Sequence, residues 1–347
     1  APSHTGKGFA DYQLSEAFWK IADLSGQDLI ITRYNESGLG MGYGEMYSNL
    51  AHVRLVPLST AQIAAAEEER PRADTRTLVA MNDAGIFSEL RTREDIWAQL
   101  EPYADSDVDL MLWATFKGET CTYRSQISRP LPPDGNPFDR FSSHEHWETT
   151  LRALEAEGID FMREIVTAAH TYGLRIFPSL RLQGPKPLPV DMEPGSFHAR
   201  HPEFHCKGKD GLPVAQLSLA FPEVRAYWIS LVCEALAYGF DGIHVIFCRS
   251  WPFVLYENPV VEFFQSEYGE DPRASDEDDP RLWRVFAHFV NMFARELKSA
   301  VFEMEQKLGK KLEIAYNINT TPESNLRWGV DVETLVAEGL VDYLMPH

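Results

Sequence analysis

Short apolar runs alternate with longer amphipathic segments along the chain from residue 77 onward. An uninterrupted apolar run of strand length is typical of a strand buried on both faces, as in a parallel sheet covered by helices. This pattern predicts six strands, at Thr77–Met81, Val108–Thr115, Leu174–Leu180, Gly242–Phe247, Leu312–Tyr316 and Val341–Met345.

The segments between these runs carry the signals of helices. Pro222 and Gly239 bracket one of them, at the positions that the first and last turns of a helix prefer, and Thr92 has the side chain of an N-cap. Helices are predicted at Arg93–Tyr103, His144–Tyr172, Pro222–Tyr238, Arg281–Leu308 and Val332–Glu338. Repeated strand–helix units indicate an α/β fold.

Long segments follow the third and fourth predicted strands and enlarge one end of the sheet. This favours a (β/α)8 TIM-type barrel over a doubly wound sheet, because such barrels build their sites from the loops at one end. Residues 77–347 are therefore assigned to a (β/α)8 barrel, incomplete at the C-terminus and truncated after the sixth strand.

Residues 1–60 do not follow the alternation. Two strands are predicted there, Asp28–Tyr34 and His52–Val56, joined by the Gly-rich segment GLGMGYGEMYSN. This arrangement indicates the C-terminal part of a β-sandwich domain, the remnant of a larger unit. Residues 61–76 are then a helical or irregular connection.

Composition excludes several classes of partner. The 52 acidic residues outnumber the 32 basic ones, and the net charge of −20 argues against nucleic acid or an anionic membrane surface as a partner. No apolar run approaches the ~18 residues of a membrane span, so no membrane insertion is expected. The expected location is secreted or periplasmic, although Ala1 begins no signal peptide. The oligomeric state is left open.

No cofactor is expected, because no phosphate-binding or dinucleotide-binding glycine pattern occurs. The four cysteines lack metal-ligand spacing and are predicted to be buried, reduced thiols. His198, His201 and His205 raise the alternative of a metal site, but Pro202 interrupts any shared helix. No metal is therefore assigned.

Carboxylates follow three of the predicted strands, at Asp83, Glu119 and Glu257. Side chains just past the carboxyl ends of barrel strands form the active site in this architecture, and glycoside hydrolysis takes two carboxyl groups. These three residues are the catalytic candidates. For Asp83, in the sequence NDAG, a turn-forming role is the alternative.

Cations and aromatic residues occur at the same strand ends. Lys117, Arg181 and Arg249 would favour an anionic glycan, uronic or sulfated, since guanidinium groups bind carboxylate and sulfate bidentately. The alternatives are salt bridges to acids at the same edge, and aromatic residues that merely cover the barrel. The further substrate-binding candidates are Trp113, Trp251, Tyr256, Asn317, Asn319 and His347.

Four segments together resemble the family-10-like bacterial glycosyl hydrolases, a group of hypothetical glycosidases with a (β/α)8 barrel. They are HPEF at 201–204, LSLAFPEVRAYWISLVCEAL at 217–236, GFDGIHVIFCRS at 239–250 and EFFQSEYGEDPR at 262–273. The resemblance implies a glycoside hydrolase of carbohydrate-degrading bacteria, acting on a polysaccharide or oligosaccharide, with a β-sandwich ahead of the barrel.

The chain departs from that group at the fourth predicted strand. Related barrels often carry a carboxylate within this strand, whereas the stretch His244–Phe247 contains none. Glu257 in the following loop is then the nearest replacement. The departure keeps two alternatives open: a non-catalytic glycan-binding barrel and a metal-dependent hydrolase such as a deacetylase.

Overall fold

The computed structural model describes residues 21–29, 52–69, 78–82, 90–104, 106–117, 119–128, 143–182, 196–248 and 251–347. Its centre is a sheet with six parallel strands. These are β1 (Leu78–Asn82), β2 (Val108–Lys117), β4 (Arg175–Arg181), β7 (Gly242–Ile246), β8 (Glu313–Ile318) and β9 (Tyr343–Pro346). A two-residue strand, β3 (Thr120–Cys121), folds back antiparallel on β2.

The parallel strands follow one another across the sheet in the order in which they occur along the chain. A doubly wound sheet reverses this direction at a switch point, whereas a (β/α)8 barrel does not. The predicted fold class is therefore confirmed, and all six predicted strands are present with ends shifted by at most two residues.

Helices cover the outer face of this sheet. In chain order the described helices are α1 (Thr60–Glu69), α2 (Arg93–Ala98), α3 (Ser143–Ala156), α4 (Phe161–Thr171), α5 (Phe197–Arg200), α6 (Pro222–Leu236), α7 (Asn258–Tyr268), α8 (Pro280–Leu308), α9 (Pro322–Leu326) and α10 (Val332–Ala337). Of these, α1 is exposed and does not belong to the covering layer. None of the described helices is long and apolar enough to cross a membrane.

Alternating residues of each strand form two separate cores. Outward-facing side chains such as Ile176, Val245 and Ile314 join the large core under the helices. Inward-facing ones form a smaller cluster, in which Leu110, Leu112, Phe177 and Ala315 are buried. This inner face is the interior of the barrel, where side chains from neighbouring strands lie in layers.

Gly242 lies where the inner core leaves no space for a side chain. A Cβ atom at this position would collide with the carbonyl oxygen of Glu313 and would lie 2.7 Å from Cζ of Phe177. The ring of Phe177 fills the position that a side chain on β7 would otherwise occupy. Glycine is therefore required here by packing, at the amino end of the strand.

Asp241 ties the amino ends of neighbouring strands together. Its Oδ2 accepts the N–H of Ile176 at 2.9 Å and lies 2.9 Å from Nε2 of His170, and its Oδ1 accepts from Nζ of Lys310 at 3.0 Å. Burial acts to raise the pKa of Asp241, but His170, the Ile176 amide and Lys310 outweigh it and hold this pKa below 3.8. The residue is structural and lies away from the carboxyl ends of the strands.

Asp241→Asn is expected to lower the free energy of unfolding by about 1–3 kcal/mol at neutral pH, because the amide keeps one acceptor oxygen where the carboxylate offers two to Ile176, His170 and Lys310. A carboxyl whose folded pKa is depressed stabilises the fold above its unfolded pKa, and this contribution is lost as the pH falls through the folded value. Urea denaturation should therefore show a deficit that shrinks below about pH 4. A constant deficit at all pH values would contradict this, and Glu157→Gln on an exposed helix end is the control.

The predicted helix at His144–Tyr172 is wrong in one respect, since it consists of two helices, α3 and α4. Gly158 separates them with φ of 72°, a left-handed conformation that ends α3. Asp160 then caps α4 by accepting the N–H of Arg163. By contrast, the predicted N-cap at Thr92 is confirmed, since its side chain accepts the N–H of Asp95.

Several elements have no counterpart in the sequence prediction. These are α5, α7, α9, the short strand β3 and an antiparallel hairpin made of β5 (His205–Lys207) and β6 (Pro213–Leu217). The predicted strand His52–Val56 is absent, because residues 52–59 form no regular secondary structure, and helix α1 follows directly after them. Most of the other predicted strand, Asp28–Tyr34, lies outside the described residues. The β-sandwich assignment of residues 1–60 stays a prediction.

All four cysteines are reduced thiols, as predicted. Cys121, Cys206 and Cys248 are buried, and Cys233 on α6 is half-buried. Burial raises the pKa of Cys121 to about 12. Burial also raises the pKa of Cys206 and of Cys233.

Candidate functional site

A row of side chains crosses the inner face at the carboxyl ends of the strands. The strand register places Arg181, Ile246, Asn317 and Met345 side by side on four neighbouring strands, with Lys117 of β2 next in the same row. Arg181 and Asn317 are half-buried and polar. This row lies at the edge where barrel enzymes bind their substrates.

Polar loops extend the edge beyond this row. Asn317 shares a hydrogen bond through its Oδ1 with the Sγ of Cys248, and its carbonyl accepts the N–H of Cys248 at 3.0 Å. Asn319 donates from Nδ2 to the carbonyl of Ser324 and is held by Asn325. His347 is exposed after β9, and its N–H donates to Ile318.

Two tryptophans stack face to face above these loops. The ring centroids of Trp251 and Trp328 are 4.9 Å apart, with 13° between their planes. Trp251 is 36% exposed, so part of its side chain is open to solvent. Trp328 precedes Gly329, where a Cβ atom would lie 2.9 Å from the backbone carbon of Phe286. We call this stacked pair the aromatic platform.

A neutral histidine lies one layer below the polar row. Nδ1 of His244 is 2.8 Å from Oγ of Ser179, and no described residue forms a hydrogen bond with its Nε2. Burial lowers the pKa of His244 to about 3, so the imidazole carries no charge at neutral pH. The side chain belongs to the barrel interior.

The Glu119 carboxylate binds residues of α5 and does not face the carboxyl edge of the sheet. Its Oε1 accepts the N–H of Phe197 at 2.7 Å, and its Oε2 lies 2.9 Å from Nδ1 of His198. Burial acts to raise the pKa of Glu119, but His198 and the donated hydrogen bonds outweigh it and keep this pKa below 4.5. A carboxylate stabilised in this way suits an anchor for α5 better than a general acid.

Glu257 is completely buried at the start of α7. Its Oε1 accepts the N–H of Lys207 at 3.0 Å and that of Leu255 at 3.2 Å, while its Oε2 accepts from Leu255 at 3.0 Å. Burial raises the pKa of Glu257 against these backbone donors. A raised pKa is typical of a general acid, but this carboxyl group has no exposed surface.

The histidine cluster does not form a metal centre. His205 lies 3.1 Å through Nε2 from the carbonyl of His198, and His201 pairs with Glu203 at 2.9 Å. No group of potential ligands that could hold a metal ion is found among the described residues. The donors of this loop are occupied by its own carbonyl and carboxylate groups.

The remaining predicted residues divide into three groups. Asp83 and Arg249 lie outside the described residues, and Lys117 is placed only by the register of its strand. Trp113 is corrected: it faces the helices and packs near Phe161 in the large core, since its strand alternates sides. Tyr256 is buried too, with its ring against Phe286.

Trp328 and Ser179 are the site residues that sequence reasoning missed. Ser179 lies within an apolar strand, and only its inward alternation marks it. Trp328 lies ten residues beyond β8, after α9. The signal available was a tryptophan next to a glycine past the end of a barrel strand.

No family model matches this chain, and no curated protein matches its sequence. Similar solved structures include a GH20 exo-β-N-acetylglucosaminidase from Vibrio harveyi, with 16% identity and a TM-score of 0.39 over 78% of this chain and 41% of that one. An α-amylase from Lactobacillus plantarum has 12% identity and a TM-score of 0.37, over 77% and 50%. An α-galactosidase from Thermus thermophilus has 17% identity and a TM-score of 0.35, over 77% of this chain and 42% of that one.

The chain spans half or less of the length of these three proteins. Their names are those of glycoside hydrolases, and none is named as a family-10 enzyme. Because all three TM-scores lie below 0.5, the fold assignment rests on the strand order and register instead. The narrower family-10-like resemblance stays a prediction.

Proposed function

We propose that the carboxyl edge of the barrel sheet binds a carbohydrate, and that the chain is the barrel part of a glycoside hydrolase. The observation that carries the proposal is the aromatic platform, which follows the same carboxyl ends of the strands as the polar side chains of Arg181 and Asn317. Aromatic faces match the apolar C–H faces of pyranose rings, while amide, imidazole and guanidinium groups bind hydroxyls.

Hydrolysis is the leading candidate activity. It takes a pair of carboxyl groups on either side of the glycosidic bond. Among the predicted carboxylates, Glu119 has a lowered pKa, which does not fit a proton donor. Glu257 has a raised pKa but no exposed surface, so its carboxyl group does not face a substrate in this structure. Asp83 completes the set of candidates. An anionic glycan is the narrower form of the proposal, supported by Arg181 in the polar row.

Glycan binding without hydrolysis is the second candidate. It is favoured by one observation: Glu119 and Glu257 both accept hydrogen bonds from backbone N–H groups of loops. Carboxylates engaged in this way hold the loops around the edge. In that case the edge would bind a glycan without cleaving it.

The test uses a panel of neutral, uronic and sulfated oligosaccharides and polysaccharides. Release of new reducing ends, together with calorimetric binding, would support hydrolysis, and binding without release would support the second candidate. Preference for the uronic or sulfated members would support the anionic form. If no member of the panel is either bound or cleaved, the proposed function is wrong.

A further inference from the structure

We propose that Glu257 is a positioning residue, a carboxylate that clamps the loop carrying Trp251 onto the β5–β6 hairpin and thereby sets the aromatic platform. The inference deepens the proposed function and rests on it for its binding measurements. It assigns Glu257 a role that requires no contact with substrate.

The Glu257 carboxyl group is surrounded by hydrogen-bond donors. The carboxyl oxygens accept from backbone N–H groups of two segments 48 residues apart in sequence: Oε1 accepts from Lys207 on β5, and both oxygens accept from Leu255 in the loop before α7. Cys206 also hydrogen-bonds to this carboxyl. Since Glu257 is 0% exposed, these donors have no water to replace it. Removing the carboxyl would leave buried N–H groups unpaired.

Further contacts join the same two segments near the Glu257 carboxyl group. The N–H of Tyr256 donates to the carbonyl of Lys207 at 3.0 Å, and the N–H of Leu219 donates to Phe253 at 2.8 Å. Lys209 of the hairpin lies 5.8 Å above the ring of Tyr256. Residues 253–257 are therefore fixed to the hairpin and to the chain that follows it, with the Glu257 carboxyl group buried among backbone hydrogen bonds.

Packing contacts connect the loop held by Glu257 to both tryptophans. The ring of Tyr256 packs on Phe286 with centroids 6.2 Å apart, and the backbone of Phe286 leaves no space for a Cβ atom at Gly329, next to Trp328. On the other side, Phe253 packs on Phe247 at 5.3 Å, two residues after Trp251. Both rings of the platform are thus attached to the packed unit that Glu257 closes.

The experiment compares Glu257→Gln, Glu257→Asp and Glu257→Ala with Glu262→Ala, an exposed glutamate of the same helix. The Gln amide oxygen can still accept from Lys207 and Leu255, so glycan affinity should stay within about twofold of wild type. Glu257→Asp and Glu257→Ala should weaken affinity by about tenfold, because the clamp is shortened or lost. The control should not change affinity.

A double-mutant cycle with Trp251→Ala separates positioning from general loss of structure. If Glu257 acts through the platform, Glu257→Asp should change affinity by less than about twofold once Trp251 is alanine. Additive losses would overturn the proposal. So would a Glu257→Gln variant that binds glycan normally but no longer cleaves it, since that result belongs to a general acid.

A second readout does not depend on a glycan. The near-ultraviolet circular dichroism of the stacked tryptophans should change in Glu257→Asp in the same direction as in Trp328→Ala, and should be unchanged in Glu257→Gln. An unchanged spectrum in Glu257→Asp would overturn the positioning role. A panel without any bound glycan would overturn only the proposed function, so the two failures are distinguishable.

Discussion

Gly242→Ala is expected to lower the free energy of unfolding by about 3 kcal/mol. The new methyl group would meet the carbonyl oxygen of Glu313 on the neighbouring strand and the ring of Phe177. The ring can move, but the carbonyl belongs to the strand ladder and cannot move without separating β7 from β8. Chemical denaturation followed by far-ultraviolet circular dichroism measures the loss.

The matched control for this variant is Gly309→Ala. Gly309 ends α8 with φ of 66°, and a Cβ atom there would have no neighbour within 4 Å. Its replacement therefore tests backbone strain without collision and should cost about 1 kcal/mol. Equal losses for the two variants would show that packing inside the barrel does not require Gly242.

Trp251→Ala is expected to weaken glycan binding by about tenfold, which is the loss of about 1.4 kcal/mol of apolar contact with a sugar ring. Trp328→Ala should have a similar effect, because Trp328 supports the ring of Trp251 from behind. Calorimetry with the best ligand of the panel measures both affinities. Because the two rings act as one surface, the double variant should be little weaker than either single variant.

The control for the platform is Phe302→Ala. Phe302 is 57% exposed but lies near the C-terminal end of α8, towards the amino ends of the strands. Its loss should leave glycan affinity unchanged. If Phe302→Ala and Trp251→Ala weaken binding equally, the effect is not specific to the carboxyl edge.

The strands of the barrel could be predicted because their burial on both faces is recorded in continuous apolar runs such as Leu110–Ala114. The division of the long helix at Gly158 could not be predicted, since a single glycine is tolerated inside many helices. Only the left-handed φ of Gly158 shows that the helix ends there. α7 was also missed, although Pro259 and Gly269 bracket it, because the segment begins in a loop rich in aromatic residues.

The candidate site was predictable only in outline. Arg181 and Asn317 could be identified because they lie at the ends of predicted strands, and the end of a strand is marked by the local sequence alone. The state of Glu257 depends on Lys207, fifty residues earlier, and the platform depends on Trp328, 77 residues after Trp251. Neither contact leaves a local pattern in the sequence, so burial and pairing of these residues require the fold.

The four thiols are distributed so that each can report on a different part of the barrel. Thiolate is the form that reacts with alkylating reagents, and a buried thiol with a raised pKa reacts only when its surroundings open. Cys121 marks the β2–β3 hairpin, Cys206 the clamped β5 strand, Cys233 helix α6 and Cys248 the end of β7. The order in which mass spectrometry finds them labelled would therefore give the order in which the hairpin, the clamp, the helical layer and the carboxyl edge come apart.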